Sequence, residues 1–147
     1  MSTVDKYDTL LLENQLCFPL YACSKEIVRR YKPHLDALSL TYTQYIAMIV
    51  LWEKGEVSVS ELGRQLYLDS GTLTPLLRKL EEKGYISRRK SVSDERSVLI
   101  SLTEQGKRLR EQAAEVPAKM FGCVSLTPEE AVQLYSLLYK VLKGLGE

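Results

Sequence analysis

Two changes in the spacing of apolar residues constrain the fold of this chain more than any other feature. As far as Gly84, apolar side chains recur every three or four residues, as they do along one face of an α-helix. From Ile86 to Leu102, apolar and polar residues alternate on both sides of the polar segment SVSDERS, which is typical of a β-hairpin. The helical spacing returns after Thr103. The chain is therefore predicted to be mainly α-helical with a small β-hairpin.

The starts of three helices are marked in the sequence. A Ser or Thr followed three residues later by Glu or Gln can cap the first backbone amides of a helix reciprocally. The pairs of this kind are Thr41 with Gln44, Ser58 with Glu61, and Thr127 with Glu130.

A turn at residues 69–71 separates two short helices. The first begins at Ser58, and the second has an apolar face formed by Leu73, Leu76, Leu77 and Leu80. Two short helices joined in this way form a helix-turn-helix, and a hairpin directly after them makes a winged helix. We expect one domain, residues 1–147, in which a winged-helix DNA-binding region at 41–103 lies between helical arms at 8–40 and 104–147.

The pattern of the first arm allows more than one arrangement of helices. Apolar residues recur at helical spacing from Leu10 to Leu38, which predicts one long helix or two in sequence. Pro19 lacks the backbone N–H that a continuous helix would use, so it favours a kink or a late start. A helix from Leu10 would place Cys17 about two turns from the N-terminus. In the last arm, Pro117 is expected to interrupt the helical pattern.

Length, charge and apolar content exclude several classes of protein. The chain has 147 residues, with 20 Lys and Arg against 19 Asp and Glu. A net charge of +1 excludes a uniformly basic surface, so any contact with DNA requires a local patch. The longest apolar run, residues 46–52, is too short for a membrane helix, and acidic residues near the start do not fit an export signal. The protein is predicted to be cytoplasmic and not membrane-bound.

The cysteines and the single histidine do not predict a metal site. The chain has three widely spaced cysteines, Cys17, Cys23 and Cys123, and no C-x-x-C pair. An odd number of cysteines is a poor basis for a disulfide framework, so we expect thiols. His34 is expected at the surface or in an interface rather than as a metal ligand. No metal ion and no cofactor is predicted.

Basic residues gather in the second helix of the helix-turn-helix and in the hairpin. This placement brings positive charge to where phosphates of DNA would lie. The candidates are Arg78, Lys79, Arg88, Arg89, Lys90 and Arg96. Asp94 is expected to orient the Arg96 guanidinium toward a minor groove.

The start of the second helix is a candidate for contact with the major groove. Short hydroxyl side chains and free backbone amides there can approach phosphates or base edges. The residues concerned are Ser70, Gly71, Thr72, Thr74 and Pro75. The alternative is that they are ordinary capping and turn residues, and that residues 94–96 form a solvated loop.

Two long segments resemble a known family. The segment ELGRQLYLDSGTLTPLLRKLEEKGYISRR, followed by DERSVLISLTEQG, resembles the winged-helix core of the MarR family of transcriptional regulators. The segment LENQLCFPLYACSKEIVRRYKPHLDALSLTYTQYIAM is similar to the amino-terminal region of the organic-hydroperoxide repressors within that family. The resemblance implies a homodimer, held together by the helical arms, that represses transcription from double-stranded DNA until an organic hydroperoxide oxidises it. Because a dimer has twofold symmetry, its operator is expected to be an inverted repeat.

The same resemblance assigns roles to individual residues. The NQLCF motif identifies Cys17 as the sensing cysteine, and the positions of two tyrosines that hydrogen-bond it correspond to Tyr21 and Tyr31. Cys123 corresponds to the second cysteine of members that form an intersubunit disulfide, which cellular thiols reduce. The chain departs from the pattern at Pro19 and at Cys23, which is an alternative resolving thiol.

Helix geometry separates the two tyrosines. Tyr21 lies four residues after Cys17 and on the same face, within reach of its sulfur. Tyr31 lies fourteen residues after Cys17, about 21 Å along a continuous helix. Tyr31 can therefore meet a sensing cysteine only from the partner of a dimer, or if the chain turns sharply between the two residues. Dipole effects fade within the first turn, so the helix dipole is not the expected cause of thiolate stabilisation.

Two other functions are open from the sequence. A MarR-type repressor can be released by a phenolic or drug-like ligand in a cleft lined by Tyr and Leu, with inert cysteines. A thiol peroxidase using Cys17 is the enzymatic alternative, but the sequence has no polar constellation for turnover beyond the tyrosines. The protein is therefore predicted not to be an enzyme.

Overall fold

The structure is a computed structural model, and it describes residues 5–146. Helices dominate this part of the chain, and a small antiparallel sheet lies in its middle. In chain order the elements are α1 (Cys17–Asp36), α2 (Tyr42–Lys54), β1 (Glu56–Ser58), α3 (Val59–Leu66), α4 (Ser70–Glu82), β2 (Ile86–Lys90), β3 (Val98–Leu102), α5 (Glu104–Ala113), α6 (Val116–Met120) and α7 (Pro128–Leu145). The predicted fold class, a winged helix-turn-helix with helical arms, is confirmed.

The sheet contains one strand more than the sequence indicated. Its order is β1-β3-β2, with both pairs antiparallel and Ile86 opposite Leu102 in the predicted hairpin. The added strand, β1, follows a turn at Gly55 (φ +80°) and places Val57 opposite Ile100. Strand β1 has only three residues, which are too few for an alternation of apolar and polar residues to be recognised in the sequence.

The start of α1 differs from the simplest prediction. The residues before it form two short 3-10 turns, Asp8–Leu10 and Leu12–Asn14, and the α-helix begins only at Cys17. Of the two effects expected of Pro19, the late start is therefore found. A proline in the first turn costs no hydrogen bond because the N–H groups there have no helical partner. Cys17 is the first residue of its helix, and the expectation that it lies two turns inside is wrong.

The predicted helix caps are present, one of them in part. The Thr41–Gln44 and Thr127–Glu130 pairs are reciprocal capping boxes. The Ser58 hydroxyl accepts the Glu61 N–H at 3.1 Å, but the Glu61 carboxylate bonds side chains further along α3 instead of returning to Ser58. Pro117 does not simply interrupt a helix, because it lies in the first turn of α6.

The buried core lies within the winged helix and the elements that flank it. Leucines from α2, α3 and α4 pack with the sheet, and Leu35, Leu38 and Leu40 bring the end of α1 into the same cluster. By contrast, α1 has one buried residue and α7 has none. No helix among residues 5–146 is both long and apolar enough to span a membrane. The apolar faces of the two arms are thus largely exposed in a single chain.

Candidate DNA-binding surface and sensor cysteine

The Asp69 carboxylate caps α4. It accepts the Thr72 N–H at 2.8 Å, and this hydrogen bond is the largest cause that lowers the pKa of Asp69. The Thr74 hydroxyl donates to the Ser70 carbonyl at 2.8 Å, so its hydrogen bond stays within its own helix. This is what the alternative of ordinary capping and turn residues predicts. The candidate residues of α4 are all exposed: Ser70, Gly71, Thr72, Thr74, Pro75, Arg78 and Lys79.

An open cleft of about 840 Å³ lies between α3, α4 and the β2–β3 hairpin. Ser70 and Thr74 line it from the helix, and Arg88 and Arg96 line it from the hairpin. We call α4 the recognition helix and the hairpin the wing. The structure therefore brings the start of the recognition helix and the wing arginines to one concave surface.

Not every basic residue of this surface is available to a ligand. Arg88 pairs with Glu81 at 3.0 Å, and Arg89 pairs with Glu56 at 2.8 Å. Hydrogen bonds from Ser101 and then Arg89 lower the pKa of Glu56, and Arg88 lowers that of Glu81. Among residues 5–146, the basic candidates without an ion pair are Arg78, Lys79, Lys90 and Arg96.

One contact predicted for the tip of the wing is not formed. The Asp94 carboxylate accepts the backbone N–H of Arg96 at 3.0 Å and forms no ion pair with its guanidinium within the described chain. A side chain two residues earlier in a tight turn reaches the amide more readily than the end of a long side chain. Asp94 thus shapes the turn and leaves the Arg96 guanidinium unpaired.

Cys17 is exposed at the N-terminus of α1, and the structure contains it as a free thiol. Because Cys17 lies in the first turn, its distance from the helix N-terminus is no longer a reason to set the helix dipole aside. Tyr21 lies one turn further on and is exposed, with the Lys25 ammonium 5.7 Å from its ring centre. Within the described chain its hydroxyl has no hydrogen bond to Cys17.

Tyr31 belongs to a cluster of three aromatic rings. Its ring centre lies 5.0 Å from that of Tyr42 and 5.8 Å from that of Tyr45, both on α2. Burial raises the pKa of Tyr31, and the charge of an ionised Cys123 raises it further. Cys123 is therefore within electrostatic range of the Tyr31 phenol of its own chain. The packing of α6, which ends three residues before Cys123, against α1 accounts for this. Tyr42 and Tyr45 were not among the residues predicted from the sequence, although their i, i+3 spacing places them on one face of a helix.

The candidate sensor residues form two separate groups in one chain. Cys17 and Tyr21 lie at the start of α1, whereas Tyr31 and Cys123 lie near its end. Because α1 is continuous, these groups are about 21 Å apart. Cys23 is exposed on α1 between them, and His34 is half-buried.

A helix-turn-helix, a wing and a basic cleft between them define a winged-helix DNA-binding protein. The sequence pattern of the family described as Transcriptional regulator SarA/Rot matches residues 29–112. The chain is 51% identical over 143 residues to the organic hydroperoxide resistance transcriptional regulator of Bacillus subtilis, covering 97% of each protein. It is 42% identical over 127 residues to the regulator SarZ of Staphylococcus aureus, covering 86% of each. The chain belongs to the MarR family of winged-helix transcriptional regulators.

Solved structures of AbfR from Staphylococcus epidermidis are similar in fold. Reduced AbfR bound to DNA has a TM-score of 0.80 at 34% identity, covering 97% of this chain and 99% of AbfR. AbfR with its disulfide formed has a TM-score of 0.67 at the same identity, covering 97% of each chain. The chain is thus a DNA-binding transcriptional regulator similar to an organic hydroperoxide resistance regulator. Its conformation is more similar to that of reduced, DNA-bound AbfR than to that of the disulfide form.

Proposed function

We propose that this protein is a homodimeric repressor that releases an inverted-repeat operator when an organic hydroperoxide oxidises Cys17. The observation that carries the proposal is the division of the sensor residues between the two ends of α1. One chain has the cysteine at the start of the helix and Tyr31 with Cys123 near its end. In a dimer whose α1 helices cross antiparallel, Cys17 and Tyr21 of one chain would lie near Tyr31 and Cys123 of the other chain.

This arrangement gives each sensor residue a role. Tyr21 is on the same chain as Cys17 and one turn away, so its hydroxyl can reach the sulfur after a change of rotamer. The partner's Tyr31 donates the second hydrogen bond to the Cys17 thiolate. The partner's Cys123 is within electrostatic range of that tyrosine, which favours it over Cys23 as the resolving thiol.

The redox chemistry needs only the hydroperoxide and the two cysteines. The Cys17 thiolate attacks the terminal peroxide oxygen, the O–O bond breaks, and the sulfur becomes a sulfenic acid while the alkoxide leaves and gains a proton as an alcohol. The partner's Cys123 thiol then attacks the sulfenic sulfur, which forms the disulfide and releases water. Two cellular thiols reverse the step by exchange and are oxidised to their own disulfide.

The free energy required favours a disulfide over a sulfenic acid alone. Moving a population from almost entirely DNA-competent to almost entirely incompetent takes about 5.5 kcal/mol. Two symmetry-related disulfides contribute about 2–4 kcal/mol each by analogy with folding, which is in that range. A sulfenic acid that only rearranges buried hydrogen bonds, at about 1–3 kcal/mol per group, is marginal.

The DNA-binding part of the proposal assigns the operator contacts to the two sides of the cleft. The exposed start of the recognition helix, residues 70–75, enters the major groove, and Arg78 and Lys79 contact phosphates. Lys90 and Arg96 contact DNA from the wing, and Arg88 and Arg89 contribute less while they remain paired with carboxylates.

The central test replaces one cysteine at a time. Cys17→Ser is expected to keep operator binding and to lose release by organic hydroperoxide, because serine does not form a sulfenic acid. Cys23→Ser, on the same exposed helix, is the matched control and should respond like the parent protein. Operator binding is measured before and after one equivalent of hydroperoxide. Normal release of Cys17→Ser would reject Cys17 as the sensor.

The resolving cysteine is tested separately. Non-reducing mass spectrometry after the same treatment should find a Cys17–Cys123 crosslink between two chains. A Cys17–Cys23 crosslink would reject Cys123 as the resolving thiol while leaving the sensor assignment intact.

A second candidate function is release by a small ligand. A cleft of about 420 Å³ between α1 and α2 is lined by Leu35, Leu40 and Tyr42, with three basic side chains at its edge. This lining fits a phenolic or drug-like molecule. Alkylation of Cys17 separates the two functions, because an alkylated repressor that hydroperoxide no longer releases but a phenolic ligand still does would support this alternative.

A further inference from the structure

The two ends of α1 are attached to the molecule in different ways. The helix has 20 residues and is about 30 Å long. At its C-terminal end, Leu35, Leu38 and Leu40 are buried in the winged-helix core, whereas the end that begins at Cys17 is exposed. A displacement at Cys17 can therefore reach the DNA-binding region through the turn at residues 37–40, in addition to the contacts of Tyr31 with α2.

Lys83, at the C-terminal end of the recognition helix, is bonded to this turn. Its Nζ donates to Gln44 Oε1 at 2.9 Å and also to the carbonyl oxygen of Ser39. The same Gln44 oxygen accepts the Thr41 N–H at 3.0 Å, within the capping box that starts α2. Gln44 is 3% exposed and is the buried polar residue of the described core. One ammonium group thus connects the recognition helix, the end of α1 and the start of α2.

Other features of the turn fit this role. The Tyr85 hydroxyl, two residues after Lys83, donates to the Leu38 carbonyl at 3.4 Å. Ser39 has a φ of +57°, a left-handed conformation that is unfavourable for a residue with a side chain and needs support from its surroundings. Although Lys83 is exposed overall, partial burial of its ammonium lowers its pKa, and the Lys79 charge lowers it further.

We propose that Lys83 is the positioning residue through which movement of α1 reorients the recognition helix. Apolar packing of the leucines is non-directional and allows the turn to slide or rotate on the core. Hydrogen bonds depend on direction, so those from Lys83 fix the angle between the turn and α4. This inference rests on the proposed function, because it states how oxidation of Cys17 reaches the operator-binding surface.

The test compares operator affinity before and after oxidation in Lys83→Met, which keeps the apolar stem and removes the donor. We expect the reduced variant to bind the operator within a few-fold of the parent and to form the same crosslink in the same yield. Its loss of affinity on oxidation should be at least tenfold smaller than that of the parent. A merely structural role would weaken both states equally and leave the ratio of the two affinities unchanged.

Lys107→Met is the matched control. Lys107 is an exposed lysine of α5, paired with Glu104 at 3.3 Å, and its ammonium has no hydrogen bond to the turn within the described chain. The Lys107→Met variant loses the same charge and the same donor group, so the ratio of its two affinities should equal that of the parent.

Three results decide between the possible failures. A parental ratio in Lys83→Met overturns the inference. If Lys83→Met does not fold, the same comparison is made with Lys83→Gln, which removes the ammonium group but keeps a polar side chain at the end of the recognition helix, and an unchanged ratio there overturns the inference equally. If the parent protein itself remains on its operator after oxidation of Cys17, the proposed function fails first.

Discussion

At the scale of single residues, Asp69 shows how a local contact fixes an element of the DNA-binding surface. Its carboxylate accepts the Thr72 N–H at the start of the recognition helix. A charged acceptor at this position also interacts favourably with the helix dipole. Because the contact spans only three residues, it depends on the local sequence and not on how distant parts of the chain pack.

The lowered pKa of Asp69 predicts a dependence of stability on pH. A carboxyl group whose pKa is lower in the folded state stabilises the fold fully above its unfolded-state pKa, and the contribution is lost as pH falls through the folded-state value. We expect Asp69→Ala to lower the free energy of unfolding at pH 7 and to lose this difference in acid, below about pH 4. Urea unfolding from pH 7 to pH 3 measures it.

Asp69→Asn is the control, because asparagine also caps helices but does not titrate. It should keep most of the stability of the parent at pH 7. A difference between the parent and Asp69→Ala that is the same at every pH would contradict the assigned cause.

At the scale of elements, the arginines of the wing differ in their surroundings. Arg88 and Arg89 point to opposite faces of β2, as neighbours in a strand do, and each meets a carboxylate. Arg96 lies beyond the strands, in the turn that Asp94 shapes, and its guanidinium has no carboxylate partner within the described chain. Of these three wing arginines, only Arg96, at the tip, has a guanidinium without a carboxylate partner in the described chain.

This difference predicts unequal effects of two arginine substitutions. Arg96→Ala should weaken operator binding by about 1–3 kcal/mol, as expected for a specific arginine contact. Arg89→Ala, on the same wing, should weaken it less, because Glu56 already neutralises that arginine. Operator titrations at one fixed salt concentration compare them. Equal losses in the two variants would show that the ion pair opens on DNA.

At the scale of the whole molecule, the two helical arms have apolar faces that the single chain does not cover. Helix α7 has no buried residue, and on its exposed surface the ring centres of Tyr135 and Tyr139 lie 4.7 Å apart, with the rings tilted by 50°. A continuous exposed apolar face is typical of an interface between protein chains. It fits the proposed dimer, in which each α7 and each first arm pack on a second copy.

A charge introduced into this face should dissociate the dimer. Leu134 is 44% exposed on the apolar stripe of α7, so Leu134→Glu would bury an unpaired carboxylate at the interface. We expect a monomer by analytical ultracentrifugation and a loss of operator affinity. Gln133→Glu adds the same charge on the polar stripe and should remain dimeric. A dimeric Leu134→Glu variant would exclude this face from the interface.

Much of the fold followed from the sequence because it depends on neighbours along the chain. The capping residues, the apolar stripes and the alternation in the wing each involve residues a few positions apart, and the structure contains them where predicted. The sequence likewise pointed to the exposed residues of the recognition helix, because its leucines define the opposite, buried face. The start of α1 was less accurately predicted, since the apolar pattern continued through the two 3-10 turns.

Contacts between distant parts of the chain were decided only by the tertiary structure. Strand β1 exists because β3 lies beside it, Arg89 meets Glu56 across 33 positions, and Lys83 meets Gln44 across 39. No local pattern encodes these pairs, because hydrogen bonds and ion pairs need groups within a few ångströms of each other, and only the packed core fixes which distant groups come so close. The proximity of Cys123 to Tyr31 has the same origin, namely the packing of α6 on α1.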